Sequence, residues 1–200
     1  MYDTALYIGR FEPVHAGHMA LLQRALASAR QVIVVVGSAW QARSPKNPFT
    51  WQEREVMPMR DYYNEAVWVQ AVIQGVTRLT GPDARIGLVG HFKDATSSYL
   101  SAFPGWQLIP VERQGRIDAT AIRDAYFGAT PATVQSALAP LADEIPPSTL
   151  ATLERFAHTP HYSALQEEWR MLREYRQAWA AAPYPPIFVT VDALLRCQGR

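Results

Sequence analysis

Cysteine is almost absent from this chain, because Cys197 is its only cysteine. A single cysteine forms no disulfide within the chain and builds no zinc site of several cysteines. No apolar run approaches the roughly 18 residues that cross a bilayer. The first ten residues, MYDTALYIGR, lack the basic segment and apolar stretch of a signal peptide. These absences predict a soluble cytoplasmic globular protein without a membrane segment.

Charge is also scarce. Lys, Arg, Asp and Glu make up 18% of the 200 residues, and 19 basic against 18 acidic side chains give a formal charge of +1. This balance argues against a broadly electrostatic nucleic-acid binder, although it allows a local basic site. Hydrophobic residues, at 48%, are numerous enough for a sizeable core. We therefore expect small-molecule partners and no nucleic acid.

Short apolar segments have the composition of buried strands. They are Ala5–Gly9, Val32–Gly37, Arg85–Gly90 and Gln107–Val111. Each is continuous rather than alternating, which is typical of parallel strands covered on both faces. Helical patterns lie between them, and in residues 17–29 Met19, Leu22 and Leu26 form a stripe that could pack on a sheet. Strands alternating with helices predict an α/β fold with a parallel sheet, whose ligands bind beyond the carboxyl ends of the strands.

The C-terminal part of the chain has a different pattern. A long helix is predicted from about Tyr162 to Ala181, and Leu165, Trp169, Leu172 and Trp179 lie near one of its faces. We interpret that stripe as core packing. The predicted divisions are a main domain over residues 1–160, a helical extension over 161–182, a proline-rich linker over 183–186 and the start of another domain over 187–200.

The most informative segment is Gly9–His18, GRFEPVHAGH, which follows the first strand and opens the first helix. A helix N-terminus carries N–H groups and partial positive charge that attract phosphate. His15 and His18 can donate to phosphate oxygens, Gly17 allows a close approach, and Arg10 adds a planar fork of donors. The alternatives are a plain helix cap and a metal site, although no third metal ligand is evident nearby.

The pattern Gly-Arg-Phe-x-Pro-x-His-x-Gly-His resembles the signature of nicotinamide-nucleotide adenylyltransferases of archaeal type. Other stretches agree with that family in order and chemistry. They are Gly37-Ser-Ala39 with Lys46-Asn-Pro-Phe-Thr50 and Glu53-Arg54, the pair Asp61 and Trp68, and Ile117-Asp-Ala-Thr-Ala-Ile-Arg123. The resemblance covers about residues 5–127. It implies a Rossmann-like nucleotidyltransferase fold and adenylyl transfer from ATP to nicotinamide mononucleotide, giving NAD and diphosphate.

The resemblance also implies residue roles. The catalytic residues would be His15, His18, Arg10 and Arg123. ATP and its phosphates would contact Gly9, Phe11, Gly17, Lys46, Asp118, Thr120 and Arg123. The nicotinamide nucleotide would contact Ser38, Asn47, Phe49, Asp61 and Trp68, with further nucleotide contacts at Gly90, His91, Lys93 and Asp94. Mg²⁺ would be held mainly by ATP oxygens and water, with no protein metal site.

Ordinary structural roles compete with several of these assignments. Trp68 lies in a mixed apolar run and could belong to the core, Asp61 could be a turn residue, and Arg123 could be a solvated helix charge. Lys46 is a stronger candidate for phosphate binding because Lys93 is the only other lysine in the sequence.

Two departures from the family pattern stand out. Asp118 replaces the serine of the second phosphate motif, and we expect it to act as a helix cap. The capping pattern Thr50-Trp-Gln-Glu53 predicts a helix start, yet Pro58 follows soon after. Relatives carry a longer helix and another strand there. We therefore expect either a deletion or, preferably, missing residues between Met57 and Pro58.

A narrower resemblance lies at Gly90–Leu100, which is similar to bacterial proteins that join this adenylyltransferase to a C-terminal Nudix hydrolase. The strand pattern Ile187–Cys197 resembles the entry to such a domain, but the Nudix motif with its paired glutamates is absent. A Nudix domain in the same chain and a homo-oligomer are therefore compatible with the sequence, and the abrupt end at Arg200 favours an incomplete chain.

Three alternative functions stay open at this point. The chain could be a related nucleotidyltransferase with another acceptor, a module that senses NAD or ATP without turnover, or a partner-binding domain that uses its tryptophan-rich helix. The Asp61 and Trp68 pair, with Arg10, favours nicotinamide mononucleotide as the acceptor.

Overall fold

The computed structural model describes residues 1–54, 57–59, 62, 64–90, 100–112 and 118–183. The four predicted strands are present and are joined by a short fifth one. The strands are β1 (Tyr2–Gly9), β2 (Ala29–Val36), β3 (Met57–Pro58), β4 (Ile86–Gly90) and β5 (Gln107–Pro110). The helices are α1 (Ala16–Ser28), α2 (Glu65–Thr80), α3 (Ala119–Phe127), α4 (Val134–Leu138), α5 (Pro147–Ala157) and α6 (Pro160–Trp179). Single 3₁₀ segments cover Gln52–Arg54 and Ala139–Glu144.

The strands form one parallel sheet in the order β3-β2-β1-β4-β5. In the central strand, Leu6 pairs with Ile33 of β2 and with Leu88 of β4. Successive connections run outward from β1 in opposite directions, so the strand order reverses beside the end of β1, where α/β sheets bind ligands. The predicted Rossmann-like parallel fold is confirmed.

Helix α1 covers one face of the sheet with a stripe that differs from the predicted one. Leu21 and Ala25 are buried, whereas Leu26 is 61% exposed. Met19 and Leu22 are only partly buried. The predicted stripe is therefore wrong for Leu26, because the helix presents a neighbouring stripe that includes a small alanine and lets its backbone lie close to the strands.

Helix α2 covers the opposite face. Asn64 begins it by accepting a hydrogen bond from the Val67 N–H at 3.2 Å, and Val69, Val72 and Val76 are buried against the sheet. The sequence did not predict this helix. The Thr50–Glu53 capping pattern, in contrast, starts only a 3₁₀ segment within the described residues.

The C-terminal helices build a third hydrophobic cluster around Tyr126 of α3 and Tyr162 of α6. The Tyr162 hydroxyl lies 2.7 Å from both the Tyr126 and the Ala129 carbonyl oxygens and donates to them. The Gln166 amide donates to the carbonyl of Phe127 at 3.0 Å. The predicted long helix is confirmed as α6, and these contacts fix its first half to the end of α3.

The second half of α6 leaves that cluster. Leu165 is buried and Trp169 packs partly against the cluster, but Trp179 is 44% exposed. The core role that we expected for the stripe therefore holds only for the first half of the helix. No helix in the described ranges is both long and apolar enough to span a bilayer.

Tyr162→Phe is expected to lower the free energy of unfolding by about 0.5–1.5 kcal/mol, because the hydroxyl bonds to the Tyr126 and Ala129 carbonyls are lost while each carbonyl keeps another donor. Burial raises the pKa of Tyr162 to about 12, against about 10 for an exposed tyrosine. The buried neutral phenol thus contributes stability that is complete below about pH 10 and is lost as the pH rises through about 12. Chemical unfolding of both proteins across that interval should show the wild-type advantage shrinking.

The matched control for this prediction is Tyr62→Phe, since the Tyr62 side chain is 41% exposed. It should change the free energy of unfolding by no more than about 0.5 kcal/mol. Equal stability of wild type and Tyr162→Phe near neutral pH would show that the hydroxyl does not hold α6 in place.

Candidate functional site

The loop after β1 ends in a pair of histidines that cap α1. The Nδ1 atom of His15 accepts from the Gly17 N–H at 3.2 Å, and the His15 N–H donates to Nδ1 of His18, also at 3.2 Å. The two rings lie 3.8 Å apart, centroid to centroid. Because Nδ1 accepts in both rings, a neutral imidazole carries its proton on Nε2. In a neutral ring Nε2–H is therefore the donor with which each histidine could bind phosphate oxygens.

Phe11 supports these histidines from an unusual backbone conformation. Its φ is +58°, and its ring lies 5.0 Å from that of His18 and 5.2 Å from that of Tyr7. The ring also covers Gly9, where a Cβ would come within 2.8 Å of it. Gly9 is thus required by the packing of Phe11, and a left-handed non-glycine residue is a form of strain often found at functional sites.

A second loop begins beside the first, at the end of β2. The Gly37 N–H donates to the Gly9 carbonyl at 2.9 Å, and Ser38 is buried with φ +52°. Both loops therefore leave neighbouring strand ends through a left-handed residue.

An ion pair fixes the rest of the second loop. The Arg43 guanidinium binds both carboxylate oxygens of Glu53, at 2.8 and 3.0 Å, and donates to the Pro48 carbonyl at 2.7 Å. Burial disfavours the charged Glu53, but hydrogen bonds from Arg43 and Thr50 outweigh it and hold the pKa of that carboxyl below its ordinary value. This brace sets the path of the segment that carries Lys46 and Asn47.

Glu12 connects three segments of the site, and sequence reasoning missed it. Its side chain is 2% exposed, and its Oε2 accepts from the Phe49 N–H at 3.2 Å. Its carbonyl accepts from Nη1 of Arg123 at 2.7 Å. An acidic residue inside a phosphate-binding motif was the available signal, because such a charge is tolerated there only when it is turned away from the ligand.

Helix α3 brings the second phosphate motif to the same place. Asp118 caps it, with Oδ1 accepting from the N–H groups of Thr120 and Ala121 at 2.9 and 3.1 Å, so the predicted cap is confirmed. Arg123 also donates to the Thr120 hydroxyl at 3.2 Å. Burial first, and then the charge of Arg10, lower the pKa of Arg123. An arginine nevertheless keeps its charge near neutral pH, so Arg10 and Arg123 form a repulsive pair that an anion would relieve.

A cavity of about 900 Å³ opens between these motifs and α6. One wall carries Arg10, Lys46, Thr120 and Arg123. The structure thus brings together four of the predicted phosphate-binding residues from three separate segments of the chain. The site roles themselves stay predictions.

A smaller cavity of about 320 Å³ lies behind His18 and has a different chemistry. Its wall includes Phe11, Phe49, Leu22 and Leu153, and no lysine or arginine is among the described residues that line it. Apart from His18, the described wall offers no cation to a phosphate, so the larger cavity is the one suited to a ligand with several phosphate groups.

The predicted nicotinamide contacts are not assembled into one place by the described residues. Phe49 is buried with α5, its ring 5.1 Å from that of Phe156. Trp68 is partly buried in the cluster under α2, its ring 5.7 Å from that of Phe103. The structure therefore shows Trp68 in the packing role that competes with nicotinamide binding. Asp61 lies outside the described residues.

Other predicted positions also lie outside them, namely His91, Lys93, Asp94 and residues 184–200. Gly90 ends β4, where a Cβ would come within 2.6 Å of Leu100. Met57 and Pro58 form the edge strand β3, and the expected deletion or omission at that point stays a prediction. Within the described ranges, no group of three or more His, Cys, Asp or Glu is placed to hold a metal ion.

Glu12→Ala is expected to lower the free energy of unfolding by about 1–3 kcal/mol, because the buried Phe49 N–H loses its acceptor. Glu12→Gln should cost less, since its amide oxygen can accept the same hydrogen bond. Urea unfolding followed by circular dichroism measures both. The control is Glu174→Ala on the exposed surface of α6, and a Glu12→Ala protein as stable as that control would contradict the bracing role.

Comparison with known proteins agrees with this geometry. The profile of the cytidylyltransferase-like family matches residues 6–78. The nicotinamide/nicotinic acid mononucleotide adenylyltransferase of Acinetobacter baylyi is 33% identical over 84% of this chain and 94% of its own length. The nicotinamide-nucleotide adenylyltransferase of Thermococcus kodakarensis is 32% identical over 62% of this chain and 72% of its own.

Among solved structures, a bifunctional NMN adenylyltransferase/ADP ribose pyrophosphatase from Francisella tularensis matches with a TM-score of 0.82 and 28% identity over 94% of this chain. This chain spans 59% of the length of that protein. A second structure of it is complexed with AMP and a manganese ion. By sequence and by fold, the chain belongs to the nicotinamide-nucleotide adenylyltransferase family of cytidylyltransferase-like proteins.

Proposed function

We propose that this protein transfers the adenylyl group of ATP to nicotinamide mononucleotide, forming NAD and diphosphate. The observation that carries the proposal is the convergence of two helix N-termini with their cations. The His15–His18 cap of α1 and the Thr120–Arg123 turn of α3 are tied together through the 2.7 Å bond from Arg123 to the Glu12 carbonyl. A helix dipole attracts phosphate to the N-terminus of the helix. Side chains would supply the hydrogen-bond donors here, because the N–H groups of Gly17, Thr120 and Ala121 already donate to the cap residues.

The reaction needs positioning more than acid–base chemistry. A phosphate oxygen of the mononucleotide bonds to the α-phosphorus of ATP, and the bond from that phosphorus to the β-phosphate oxygen breaks. Diphosphate leaves with the electron pair. The mononucleotide phosphate is already ionised at neutral pH, so it requires no general base. The protein therefore contributes alignment and stabilisation of negative charge.

The histidines are assigned to the reacting phosphate. The Nε2–H of His18 would donate to the α-phosphate oxygens, where charge accumulates in the transition state, and that of His15 would donate beside it. The hydrogen bonds at both Nδ1 atoms support these roles, because they fix the ring orientations before the substrate binds. Gly9, Phe11 and Gly17 would shape the backbone around the same phosphates.

The cations of the larger cavity are assigned to the rest of the polyphosphate. Thr120 and Arg123 would hold the β- and γ-phosphates at the start of α3, while Arg10 and Lys46 would neutralise charge where the two substrates meet. Repulsion between Arg10 and Arg123 supports this assignment, because an anion between them would turn it into attraction.

A divalent cation would reach this site on ATP. We expect phosphate oxygens and water, rather than a protein metal site, to hold most of its coordination. When bound, the cation would neutralise the diphosphate leaving group. We propose Mg²⁺ for this role.

The nicotinamide nucleotide is assigned to the second loop, with Ser38, Asn47 and Phe49, and to Asp61 and Trp68. Asn47 gives the clearest support. It is 4% exposed, and its Oδ1 accepts no hydrogen bond from the part of the chain that the structure describes. A buried acceptor of this kind costs free energy until a donor reaches it, and a substrate hydroxyl or amide group is such a donor.

We further propose that this chain is the adenylyltransferase part of a bifunctional protein. The sequence resemblance at Gly90–Leu100 and the likeness to the Francisella structure support this proposal. The paired glutamates of a Nudix motif are not present in the 200 residues. This chain is therefore expected to form NAD and to leave ADP-ribose intact, which chromatography of both reactions would test. Hydrolysis of ADP-ribose by this chain would contradict the proposal that these 200 residues carry only the adenylyltransferase activity.

The main proposal is tested by incubating the protein with ATP, Mg²⁺ and one acceptor at a time. Nicotinamide mononucleotide should yield NAD and diphosphate, and its acid form, phosphopantetheine and a nucleoside monophosphate serve as comparison acceptors. Absence of NAD from the first reaction would overturn the proposal. A protein that binds NAD without making it would instead be a sensing module.

His18 variants separate chemistry from folding. His18→Asn keeps an acceptor for the His15 N–H but loses the Nε2 donor, and His18→Ala loses both. Both should lower kcat by about 10²–10³-fold, because a donor to the transition-state charge is gone. Only His18→Ala should also lose about 1 kcal/mol of stability, the usual value of a helix cap.

Steady-state kinetics and thermal unfolding measure the two effects. His158→Ala is the control, because His158 is exposed at the end of α5, and it should leave kcat unchanged. A wild-type kcat in His18→Asn would show that the side chain of His18 does not contribute to the chemical step.

A further inference from the structure

We propose that Arg173 and Arg176 of α6 extend the phosphate site and hold the terminal phosphates of the nucleoside triphosphate. This inference rests on the proposed adenylyl transfer and adds a binding element from the helical extension, which the sequence placed outside the main domain. It assigns α6 a part in substrate binding in addition to its packing.

The shape of the larger cavity supports this role. The wall that faces Arg10, Lys46 and Arg123 is built by α6, and it includes Arg173 and Arg176. His15 and His18 do not line this cavity. The α6 arginines therefore share their space with the residues assigned to the β- and γ-phosphates, and not with those assigned to the α-phosphate.

The chemistry of α6 changes along one face. Tyr162, Leu165 and Trp169 lie on that face in the first half of the helix and contribute to the helical cluster. Arg173 and Arg176 follow at four and seven residues after Trp169, which is the spacing of the same face. The face thus turns from apolar to cationic at the point where the helix leaves the protein core and reaches the cavity.

Trp169 fixes the position of α6 where its face changes from apolar to cationic. Its indole N–H donates to Oδ1 of Asp124 at 3.0 Å, and Asp124 follows Arg123 directly in α3. The Arg173 guanidinium carbon lies 5.1 Å from the centroid of the Trp169 ring, a distance typical of a cation–π contact. The same indole therefore links α6 to the second phosphate motif and orients Arg173.

The charge of the cavity is unbalanced. Among the described residues, five cationic side chains line it, against the two carboxylates of Asp124 and Glu168. Neither Arg173 nor Arg176 has a carboxylate within ion-pair distance among the residues that the structure describes. A ligand with several negative charges is the natural complement of such a surface, and arginine forks suit phosphate oxygens.

A helix-stabilising role is the main alternative for Arg176, because it lies in the last turn of α6, where positive charge interacts favourably with the helix dipole. That role predicts an effect on stability alone. The proposed role predicts an effect on ATP affinity that depends on the terminal phosphates.

The test compares ATP with AMP, which lacks those phosphates. Arg173→Gln, Arg176→Gln and the double variant are titrated with each nucleotide by calorimetry, in Mg²⁺ and without the mononucleotide, so that no turnover occurs. Each single variant should weaken ATP binding about tenfold and the double variant about 100-fold, because each loses a charge-assisted contact. AMP binding should change less than about twofold.

Arg170→Gln is the matched control, since Arg170 is an exposed arginine of the same helix that does not line the cavity. The pair Arg173→Lys and Arg176→Lys keeps the charge and should retain most of the ATP affinity. Thermal unfolding confirms that each variant is folded. In turnover assays the double glutamine variant should raise the KM for ATP and leave the KM for nicotinamide mononucleotide unchanged.

The outcomes separate this inference from the proposed function. Unchanged ATP affinity in the folded double variant would overturn the role of α6, and so would an equal loss of ATP and AMP affinity. If the wild-type protein makes no NAD, the proposed reaction is overturned. The α6 contacts would still be supported if the glutamine variants lose affinity for ATP and keep their affinity for AMP.

Discussion

The site depends on the way Glu12 is buried. Its carboxylate accepts from the Phe49 N–H of the second loop, and its carbonyl accepts from Arg123 of α3. One residue of the first loop therefore fixes the other two segments that supply cations to the larger cavity. An acidic residue, which would repel a phosphate, is tolerated in this predicted phosphate motif because its carboxylate is buried and accepts a hydrogen bond inside the protein.

The same arrangement explains why cations can be gathered in a protein of nearly neutral charge. Arg10 and Arg123 repel each other, which together with burial lowers the pKa of Arg123. Neighbouring interactions hold the cluster, such as the Glu12 carbonyl and the Thr120 hydroxyl at Arg123. An anion placed between the two guanidinium groups would relieve this repulsion.

Local patterns predicted those parts of the fold and site that depend on neighbouring residues. The apolar strand segments, the start of α1 directly after the His15 motif and the Asp118 cap of α3 are of this kind. Helix α2 was missed because its valines have a weak preference for helices, and burial against the sheet overrides that preference. The stripe of α1 was placed wrongly because the buried position of Ala25 depends on how closely the helix approaches the sheet. Glu12 was missed because its partners lie 37 and 111 residues away.

The long-range part of the structure also changes how the helical extension is understood. A boundary at residue 160 would pass through a single cluster, since Tyr162 and Leu165 of α6 pack with Tyr126 of α3. Helix α3 carries Arg123, and the next residue, Asp124, accepts a hydrogen bond from the Trp169 indole. Any force that moves α6 must therefore act on the second phosphate motif, because the two helices share a buried interface and a hydrogen bond. The position of the second phosphate motif and the packing of the extension are for this reason coupled through α3.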